Sequence, residues 1–195
     1  GWRRKNYDLH AVLGFYMSWI AVFIVITGLV FGFEWVAKAL YWVSSGGRPM
    51  IEHQHPVSDT TKAASREQLA DYLWQQHLPE TGEQESIAVY FANLPADPVE
   101  VIINHRPGTY YHSDYYHYDQ YTGARLKAKG SWDGKFSEAT IADKIARMNY
   151  DIHVGAVLGF AGKLLAFFAS LVAASLPVTG FLMWKGRLRK RRKQV

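Results

Sequence analysis

The sequence contains no cysteine in its 195 residues. This absence excludes disulfide bonds, cysteine nucleophiles, thiolate metal sites, iron–sulfur clusters and thioether-linked haem. The sequence also has no glycine-rich phosphate loop, no serine-hydrolase motif and no His-Glu-x-x-His metalloprotease motif. No site for a flavin or nicotinamide electron donor is recognisable. Chemistry at a metal or redox centre would thus depend on other ligands, among which histidine is present in eight copies.

Charged side chains are missing from two stretches, residues 9–33 and residues 164–184. Because about twenty apolar residues cross a hydrocarbon core of about 30 Å, both stretches are predicted to be transmembrane helices. The polar sequence between them is long enough for a small core of its own. The chain is therefore predicted to be an α-helical membrane protein in which two transmembrane helices flank a small α+β domain.

The net charge of +5 is concentrated at the two ends of the chain, beside the apolar stretches. Basic ends can bind nucleic acid, but beside two spans they favour cytoplasmic termini and an external central domain. The predicted organisation is a cytoplasmic basic N-terminus (1–8), a first transmembrane helix with an interfacial extension (9–43), the external α+β domain (44–147), an interfacial segment with the second transmembrane helix (148–185) and a cytoplasmic basic tail (186–195).

The central domain is predicted to hold a helix, antiparallel strands and a second helix. Ser65 is expected to cap the first helix, with Gln68 as its capping-box partner. Alternation of apolar and polar residues from Val99 onward is typical of a half-buried strand. The expected strands lie within residues 87–93, 99–105, 110–118 and 124–129, and a helix from about Ser137 leads to the second span.

A repeated motif stands beside each apolar stretch. Residues 6–10 read Asn-Tyr-Asp-Leu-His, and residues 149–153 read Asn-Tyr-Asp-Ile-His. A histidine at a membrane helix end is costly unless it pairs, ligates or titrates. His10 and His153 are therefore predicted to ligate a metal or haem, and the topology puts them on opposite sides of the membrane, as two separate centres.

A b-type haem needs only one or two axial histidines and an apolar slot between helices. Small residues near the motifs are expected to let a flat macrocycle approach closely, namely Gly14, Gly155 and Gly159. Aromatic side chains are expected to line the slots, namely Phe15, Tyr16, Trp19, Phe160, Phe167 and Phe168. The motif aspartates, Asp8 and Asp151, are interpreted as helix N-caps in preference to partners that orient the histidines. Each span also carries a Thr-Gly pair, 27–28 and 179–180, which is interpreted as a helix-packing position.

On a straight helix with a rise of about 1.5 Å per residue, His153 would stand about 15 Å above Lys163. Two interpretations of its level are open. Either Gly159 and Gly162 bend the chain so that His153 folds back towards the bilayer, or Lys163 snorkels and the helix enters the bilayer higher than this charge suggests.

The central domain holds the other six histidines, His53, His55, His77, His105, His112 and His117. His53 and His55 could bind a metal loosely, and His112 and His117 could face a ligand. A solvent-facing strand with aromatic cross-strand pairs is the favoured interpretation of residues 110–118.

The motifs at residues 6–16 and 151–155, together with Gly162-Lys163, residues 177–181 and Trp184, resemble the PepSY-associated transmembrane family. Residues 119–123 are similar to the Asp-x-x-Thr-Gly turn of PepSY domains. The family consists of bacterial inner-membrane proteins, many linked to iron uptake, and includes FoxB-like dihaem ferric-siderophore reductases. The resemblance implies a periplasmic PepSY-like domain, two b haems per complete protein, and axial ligation by His10 at the inner haem and His153 at the outer haem.

Full members of this family typically have four spans, and this chain is similar to their second half. The resemblance thus implies that a missing N-terminal half, or a second copy, completes the haem ligation. It also implies electron transfer from an unidentified cytoplasmic donor to a ferric siderophore, and no nucleic-acid partner. Two alternatives stay open: a membrane-anchored binding or regulatory module without redox activity, and an accessory subunit of iron-chelate transport.

Overall fold

The computed structural model describes residues 1–62, 66–80, 82 and 85–191 of the chain. These residues form two compact units. We call residues 1–29 together with those from 152 onward the membrane unit, and residues 30–151 the central domain.

The membrane unit consists of two antiparallel helical segments. The first runs through α1 (Trp2–Asp8), a π-helical turn (Leu9–Leu13) and α2 (Gly14–Gly32). The second is α6 (Gly159–Arg191), which contains Pro177. The apolar stretches Arg4–Gly32 and Ala156–Leu188 are long enough to cross a bilayer, and only 11% and 17% of their most apolar windows are buried. Such all-round apolar exposure suits a lipid environment.

Small side chains let these two segments approach closely. A Cβ atom on Gly14 would lie 3.0 Å from Cδ2 of Leu176 on α6, so the first turn of α2 packs directly against the second segment. This is helix packing of the small-residue kind. Gly14 therefore serves the contact between the helices, where the sequence suggested an approach to a macrocycle.

The entry into α6 contains a sharp break. Helix α5 (Ile141–His153) ends at the motif histidine, and a 3₁₀ turn (Ala156–Leu158) precedes α6. Gly155 has φ +74°, which favours glycine, and a Cβ there would collide with the backbone of Gly162. The chain thus doubles back at Gly155 and Gly159, so the expected bend is confirmed at Gly159 but not at Gly162, which lies within α6. The level of His153 in the bilayer stays a prediction.

The central domain begins with helix α3 (Glu34–Ser44), which Phe33 separates from α2 because its backbone is extended, with φ −135° and ψ 111°. It also contains α4 (Arg66–His77), a 3₁₀ turn (Leu78–Glu80) and most of α5. Ser65, the predicted cap of α4, lies outside the described residues.

A four-stranded antiparallel sheet of order β1-β2-β3-β4 forms the body of the domain. Its strands are β1 (Ser86–Tyr90), β2 (Val99–Asn104), β3 (Ser113–Tyr118) and β4 (Arg125–Leu126). Alternate residues of β2 are buried, and the core cluster comprises Leu73, Val99, Val101, Ile103 and Tyr118. The predicted order of helix, strands and helix is confirmed.

Several predicted boundaries differ from the observed ones, and three of these differences have an identifiable local reason. Strand β3 starts only at Ser113, because the preceding backbone N–H groups bond to a side chain of α5. Strand β4 has two residues, and Lys129 instead forms an isolated bridge with Gln54. Helix α5 begins at Ile141, where the hydroxyl of Thr140 accepts the N–H of Asp143.

Candidate functional site

The first motif histidine binds a threonine of the other span. His10 lies in the π-helical turn, and its Nδ1 is 2.7 Å from Oγ1 of Thr179. The Thr179 hydroxyl itself donates to backbone carbonyl oxygens of its own helix, at Ser175 (3.0 Å) and Leu176 (3.2 Å). Since a hydroxyl has one hydrogen, Thr179 Oγ1 accepts from His10. Nδ1 therefore carries the proton, and in the neutral ring Nε2 carries the lone pair.

The second motif histidine repeats this arrangement. Nδ1 of His153 lies 2.9 Å from Oγ1 of Thr27 and 3.1 Å from the backbone carbonyl oxygen of Ile24. The Thr27 hydroxyl donates to the carbonyl oxygen of Phe23 at 2.8 Å. Because a carbonyl oxygen only accepts, the contact with Ile24 independently assigns the proton to Nδ1 of His153.

Each repeat thus places its histidine against the Thr-Gly pair of the opposite span. The glycine of each pair lets the imidazole approach, since a Cβ on Gly28 or Gly180 would lie 3.4 Å from Cε1 of His153 or His10. Asn6, from the first motif, donates to the backbone carbonyl oxygen of Thr179 at 3.2 Å. The interpretation of the Thr-Gly pairs as packing positions alone is therefore incomplete, because each threonine also accepts a hydrogen bond from a histidine ring.

The two histidine–threonine contacts lie at opposite ends of the membrane unit. Thr27, the partner of His153, follows His10 by 17 positions in one continuous helical segment. At about 1.5 Å per residue, the two contacts are about 25 Å apart. The chain therefore brings each histidine to its own site and does not bring the two together.

The motif aspartates do not cap helices. Asp151 lies within α5, is 0% exposed, and accepts the backbone N–H groups of Tyr110 (3.0 Å) and Tyr111 (2.7 Å). Asp8 has helical backbone angles and makes no capping hydrogen bond, and its carboxylate is 4.0 Å from the guanidinium of Arg4. The N-cap prediction is wrong for both, because the helix continues through Asp8 and Asp151 sits at a helix C-terminus.

Two open grooves run between the helices of the membrane unit. One, of about 870 Å³, lies at the end that carries the chain termini. Its lining includes Trp2, Arg4, Asn6, Leu182, Met183, Lys185 and Arg187. The other, of about 310 Å³, is apolar and runs from Gly14 and Leu176 to Ile26 and Ala169.

The aromatic side chains predicted to line haem slots are on the outside of the helix pair. Their exposed fractions range from 46% at Phe168 to 81% at Phe160. Neither groove includes any of the six. Gly155 and Gly159 likewise serve the turn before α6, with φ of +74° and +65°. Within this chain the small-residue and aromatic positions therefore support packing, turning and outward contact.

The histidines of the central domain separate into different groups. His53, His55 and His117 come together, with one ring nitrogen of each within 4.8 Å of the others. His112 lies instead near His105, with ring centroids 5.9 Å apart. His112 precedes β3 and His117 lies within it, so the structure places the two in different groups, and a ligand at either histidine stays a prediction.

Burial dominates the electrostatics of His117. This residue is 0% exposed, and desolvation lowers its pKa to about 4, against an opposing influence of the Asp133 carboxylate. The ring is therefore neutral at physiological pH. The sequence indicated His53, His55 and His117 individually but did not predict that they form one cluster. The available signal was the i, i+2 spacing of His53 and His55, which directs both side chains to one face of an extended segment.

The structure defines a class of membrane protein in which two bilayer-length apolar helices flank an antiparallel four-stranded sheet with helices packed on it. A family model for the PepSY-associated TM region matches residues 1–187, and the chain belongs to this family. A search among curated proteins found no match. The family resemblance is confirmed; haem, siderophore, and the inner-membrane orientation stay predictions.

Proposed function

We propose that this protein carries electrons through a bacterial inner membrane, from a cytoplasmic donor to a periplasmic ferric siderophore. In this proposal His10 and His153 are axial ligands of two b haems, one near each membrane face. The termini face the cytoplasm and the central domain faces the periplasm, as the basic ends and the positive-inside rule favour. The observation that carries the proposal is the reciprocal pairing of two repeat histidines with two threonines.

The pairing supplies the form of histidine that a metal requires. A ligating imidazole donates its other ring N–H to a fixed acceptor, which sets both the tautomer and the ring orientation. Thr179 and Thr27 act as such acceptors because their own hydrogens are committed to helix carbonyls. Both histidines thus offer Nε2 as the coordinating nitrogen, and they do so by the same device at both ends of the helix pair.

A groove about one helical turn from His10 supports this proposal. Its lining includes Asn6, which precedes His10 in the same helical segment, and the cationic side chains of Arg4, Lys185 and Arg187, but not His10 itself. Cations at this level would pair with carboxylates such as propionates. The imidazole of His10 faces Gly180, so no side chain of the opposite helix crowds the ring at this point. This donor set and its surroundings therefore fit a b-type haem.

Each site has one motif histidine from this chain. A second protein ligand for each haem would therefore come from helices beyond this pair, supplied by a second copy of the chain or by a further half. The exposed aromatic side chains near the motifs, such as Phe15 and Phe160, suit contact with such helices. Haem would supply one-electron oxidation and reduction, and the chain's contribution is ligation, orientation and a low-dielectric setting.

The proposed acceptor is consistent with the chemistry of iron chelates. One electron converts the Fe³⁺ of a ferric siderophore to Fe²⁺, with no atom transferred from the protein. Hard oxygen donors hold Fe²⁺ less tightly than Fe³⁺, so the reduced metal dissociates from the chelator. Release on the periplasmic side would then make the iron available for uptake.

The test is the absorption spectrum of the detergent-solubilised protein before and after dithionite reduction, with haem counted per chain. We expect reduced b-type bands, and we expect His10→Ala and His153→Ala each to lose the haem of one site. The matched control is His105→Gln in the central domain, which should keep the full content. Full haem content in both membrane variants would overturn the assignment, and absence of haem when haem is supplied would favour an anchored binding module.

Turnover is tested separately. Reduced protein is mixed with ferric siderophore, and Fe²⁺ is trapped by a coloured chelator. The proposal expects the trapped Fe²⁺ to match the electrons lost from the haem bands. If the haem stays reduced in the presence of ferric siderophore, the siderophore is not the electron acceptor. That result would not contradict electron transfer through the haems.

A further inference from the structure

Three histidines converge on one face of the central domain. Gln54 forms an isolated antiparallel bridge with Lys129, through hydrogen bonds of 3.2 and 3.1 Å between their backbones. His53 and His55 flank Gln54, so the extended backbone directs both to the same side. Their ring centroids lie 4.5 Å apart, and those of His55 and His117 lie 5.7 Å apart. The third histidine comes from β3, so two distant parts of the sequence build the cluster.

The buried ring of His117 lacks hydrogen bonds to its two nitrogens. The side chain is 0% exposed, and neither ring nitrogen has a hydrogen-bond partner among the described residues. The nearest carboxylate oxygens are those of Asp133, 3.4 Å from Nδ1, and Glu100, 3.5 Å from Nε2, beyond good hydrogen-bond distance. A buried polar group without a hydrogen-bond partner destabilises the fold, so a ligand that binds either nitrogen of His117 removes this destabilisation.

His53 is already held in a ligating orientation. Its Nδ1 lies 3.1 Å from the backbone carbonyl oxygen of Lys129, and the carbonyl can only accept. Nδ1 therefore carries the proton, and Nε2 is the nitrogen with the lone pair. A backbone carbonyl in this position is a common outer partner of a metal-bound histidine.

We propose that His53, His55 and His117 form a site for a divalent first-row transition metal ion of the zinc type. Three neutral imidazoles are the ligand set of such ions, whereas Mg²⁺ and Ca²⁺ take oxygen ligands. The three nitrogens lie within 4.8 Å of one another, and in a tetrahedral zinc site with bonds of about 2.1 Å they would lie about 3.4 Å apart. The longest ring-centroid separation in the cluster is 6.2 Å, between His53 and His117, so the half-buried His53 ring and the exposed His55 ring both have to move to close this gap.

The charges around the cluster suit a cation. Glu100 is the direct cross-strand neighbour of His117 in the β2–β3 pair, and burial raises the pKa of its carboxyl. Asp133 lies on the other side of the His117 ring, and Arg125 Nη2 contacts it at 2.8 Å. The two carboxylates can offset the charge of the ion. The site belongs wholly to the central domain and does not depend on the proposed haem ligation.

The test uses Zn²⁺ as the probe, with untagged, chelator-treated full-length protein in detergent. Calorimetric titration and metal analysis after desalting should give one tightly held zinc per chain. We expect His55→Gln to weaken Zn²⁺ binding by more than about tenfold, and His53→Gln with His55→Gln together to abolish retention. His112→Gln is the matched control, because it removes a histidine of the same domain outside the cluster, and it should bind Zn²⁺ as the wild type does.

Folding and haem content are measured on the same samples. His55 is exposed, so its replacement should leave the melting curve of the domain unchanged, and the haem spectrum should also be unchanged. Addition of Zn²⁺ should raise the melting temperature of the wild type and of His112→Gln, but not that of the double variant. Equal Zn²⁺ affinity in the wild type and the double variant would overturn the proposal, as would a wild type that retains no zinc, whatever the haem content proves to be.

Discussion

His10 and Thr179 are 169 positions apart in the chain, yet Nδ1 of the histidine lies 2.7 Å from Oγ1 of the threonine. The threonine can only accept in this contact, because its hydrogen is shared with carbonyl oxygens one turn earlier. The same relationship joins His153 to Thr27. Four side chains thus form two equivalent pairs, and each pair can be altered without touching the other.

Replacement of either threonine by valine should weaken the haem binding that we propose for its histidine. Thr179→Val keeps the shape but removes the acceptor for Nδ1–H of His10. Thr27→Val removes one of two acceptors of His153, which keeps the Ile24 carbonyl oxygen at 3.1 Å, so its loss should be the smaller. Loss of such an outer partner costs about 10–100-fold in metal affinity. Haem titration into the solubilised apoprotein, followed at the Soret band, measures the change.

The serine variants are the controls for this prediction. Thr179→Ser and Thr27→Ser keep the hydroxyl and should retain haem affinity close to that of the wild type. Equal affinity in the valine and serine variants would show that the hydroxyl does not support the ligand.

Bulk at the glycines that face the histidines should destabilise the membrane unit. A Cβ on Gly28 or Gly180 would already touch the imidazole at 3.4 Å, so Gly28→Leu and Gly180→Leu force the ring aside, at a cost of about 1–3 kcal/mol. Thermal unfolding in detergent measures this loss. Gly32→Leu and Gly186→Leu are matched controls in the same helices, because nothing lies within 4 Å of a Cβ at either position. Equal melting temperatures in all four variants would contradict the close approach.

The two motif aspartates should respond very differently to the same substitution. Asp151 is 0% exposed and accepts backbone N–H groups at Tyr110 and Tyr111. Asp151→Asn places an amide N–H₂ where an acceptor is needed, and we expect a loss of about 1–3 kcal/mol in the unfolding free energy of the central domain. Asp8→Asn, at the equivalent repeat position, should have little effect because Asp8 makes only an exposed ion pair. Chemical denaturation followed by circular dichroism compares them, and similar losses would refute the distinction.

The stability of the central domain should depend on pH through His105. Its Nδ1 lies 3.1 Å from Glu85 and its Nε2 lies 2.9 Å from Asp114. Burial opposes the charged ring, but these carboxylates outweigh it and raise the pKa of His105. A raised folded-state pKa contributes stability that is fully present below the unfolded value of about 6.5 and is lost as pH rises through the folded value.

Replacement of His105 tests this direction. His105→Gln should lower the melting temperature more at pH 5.5 than at pH 8.5. The neighbouring His112 works in the opposite sense, because burial and the charge of His105 lower its pKa, so the comparison is repeated in a His112→Gln background. A difference between wild type and His105→Gln that does not change with pH would contradict the ion-pair assignment.

Periodicity and composition were sufficient for the architecture. The uncharged stretches predicted both long helices, and the alternation in β2 predicted a half-buried strand, because these patterns depend on local burial. Boundaries were less predictable where a distant side chain decides them. Strand β3 starts late because Asp151, some forty positions away, binds the backbone at Tyr110 and Tyr111.

The candidate site was predicted in part for a similar reason. The repeat pointed to His10 and His153, but their partners lie in the opposite span and no local signal joins them. Thr27 and Thr179 were visible only as recurring Thr-Gly pairs, which packing explains equally well. The cluster of His53, His55 and His117 needed the register of the sheet and the bridge between Gln54 and Lys129, and neither can be worked out from spacing.

Because each histidine contacts a threonine of the other span, the two contacts become possible in a fixed order during synthesis of the chain. His153 is synthesised before Thr179, so its contact with Thr27 becomes available while the last turns of the second span are still being made. The contact of His10 with Thr179 has to wait until those turns exist. A chain truncated after the first span would contain His10 without its acceptor Thr179, and Thr27 without its donor His153. Neither span alone can therefore form a histidine–threonine contact, and both contacts depend on the assembly of the helix pair.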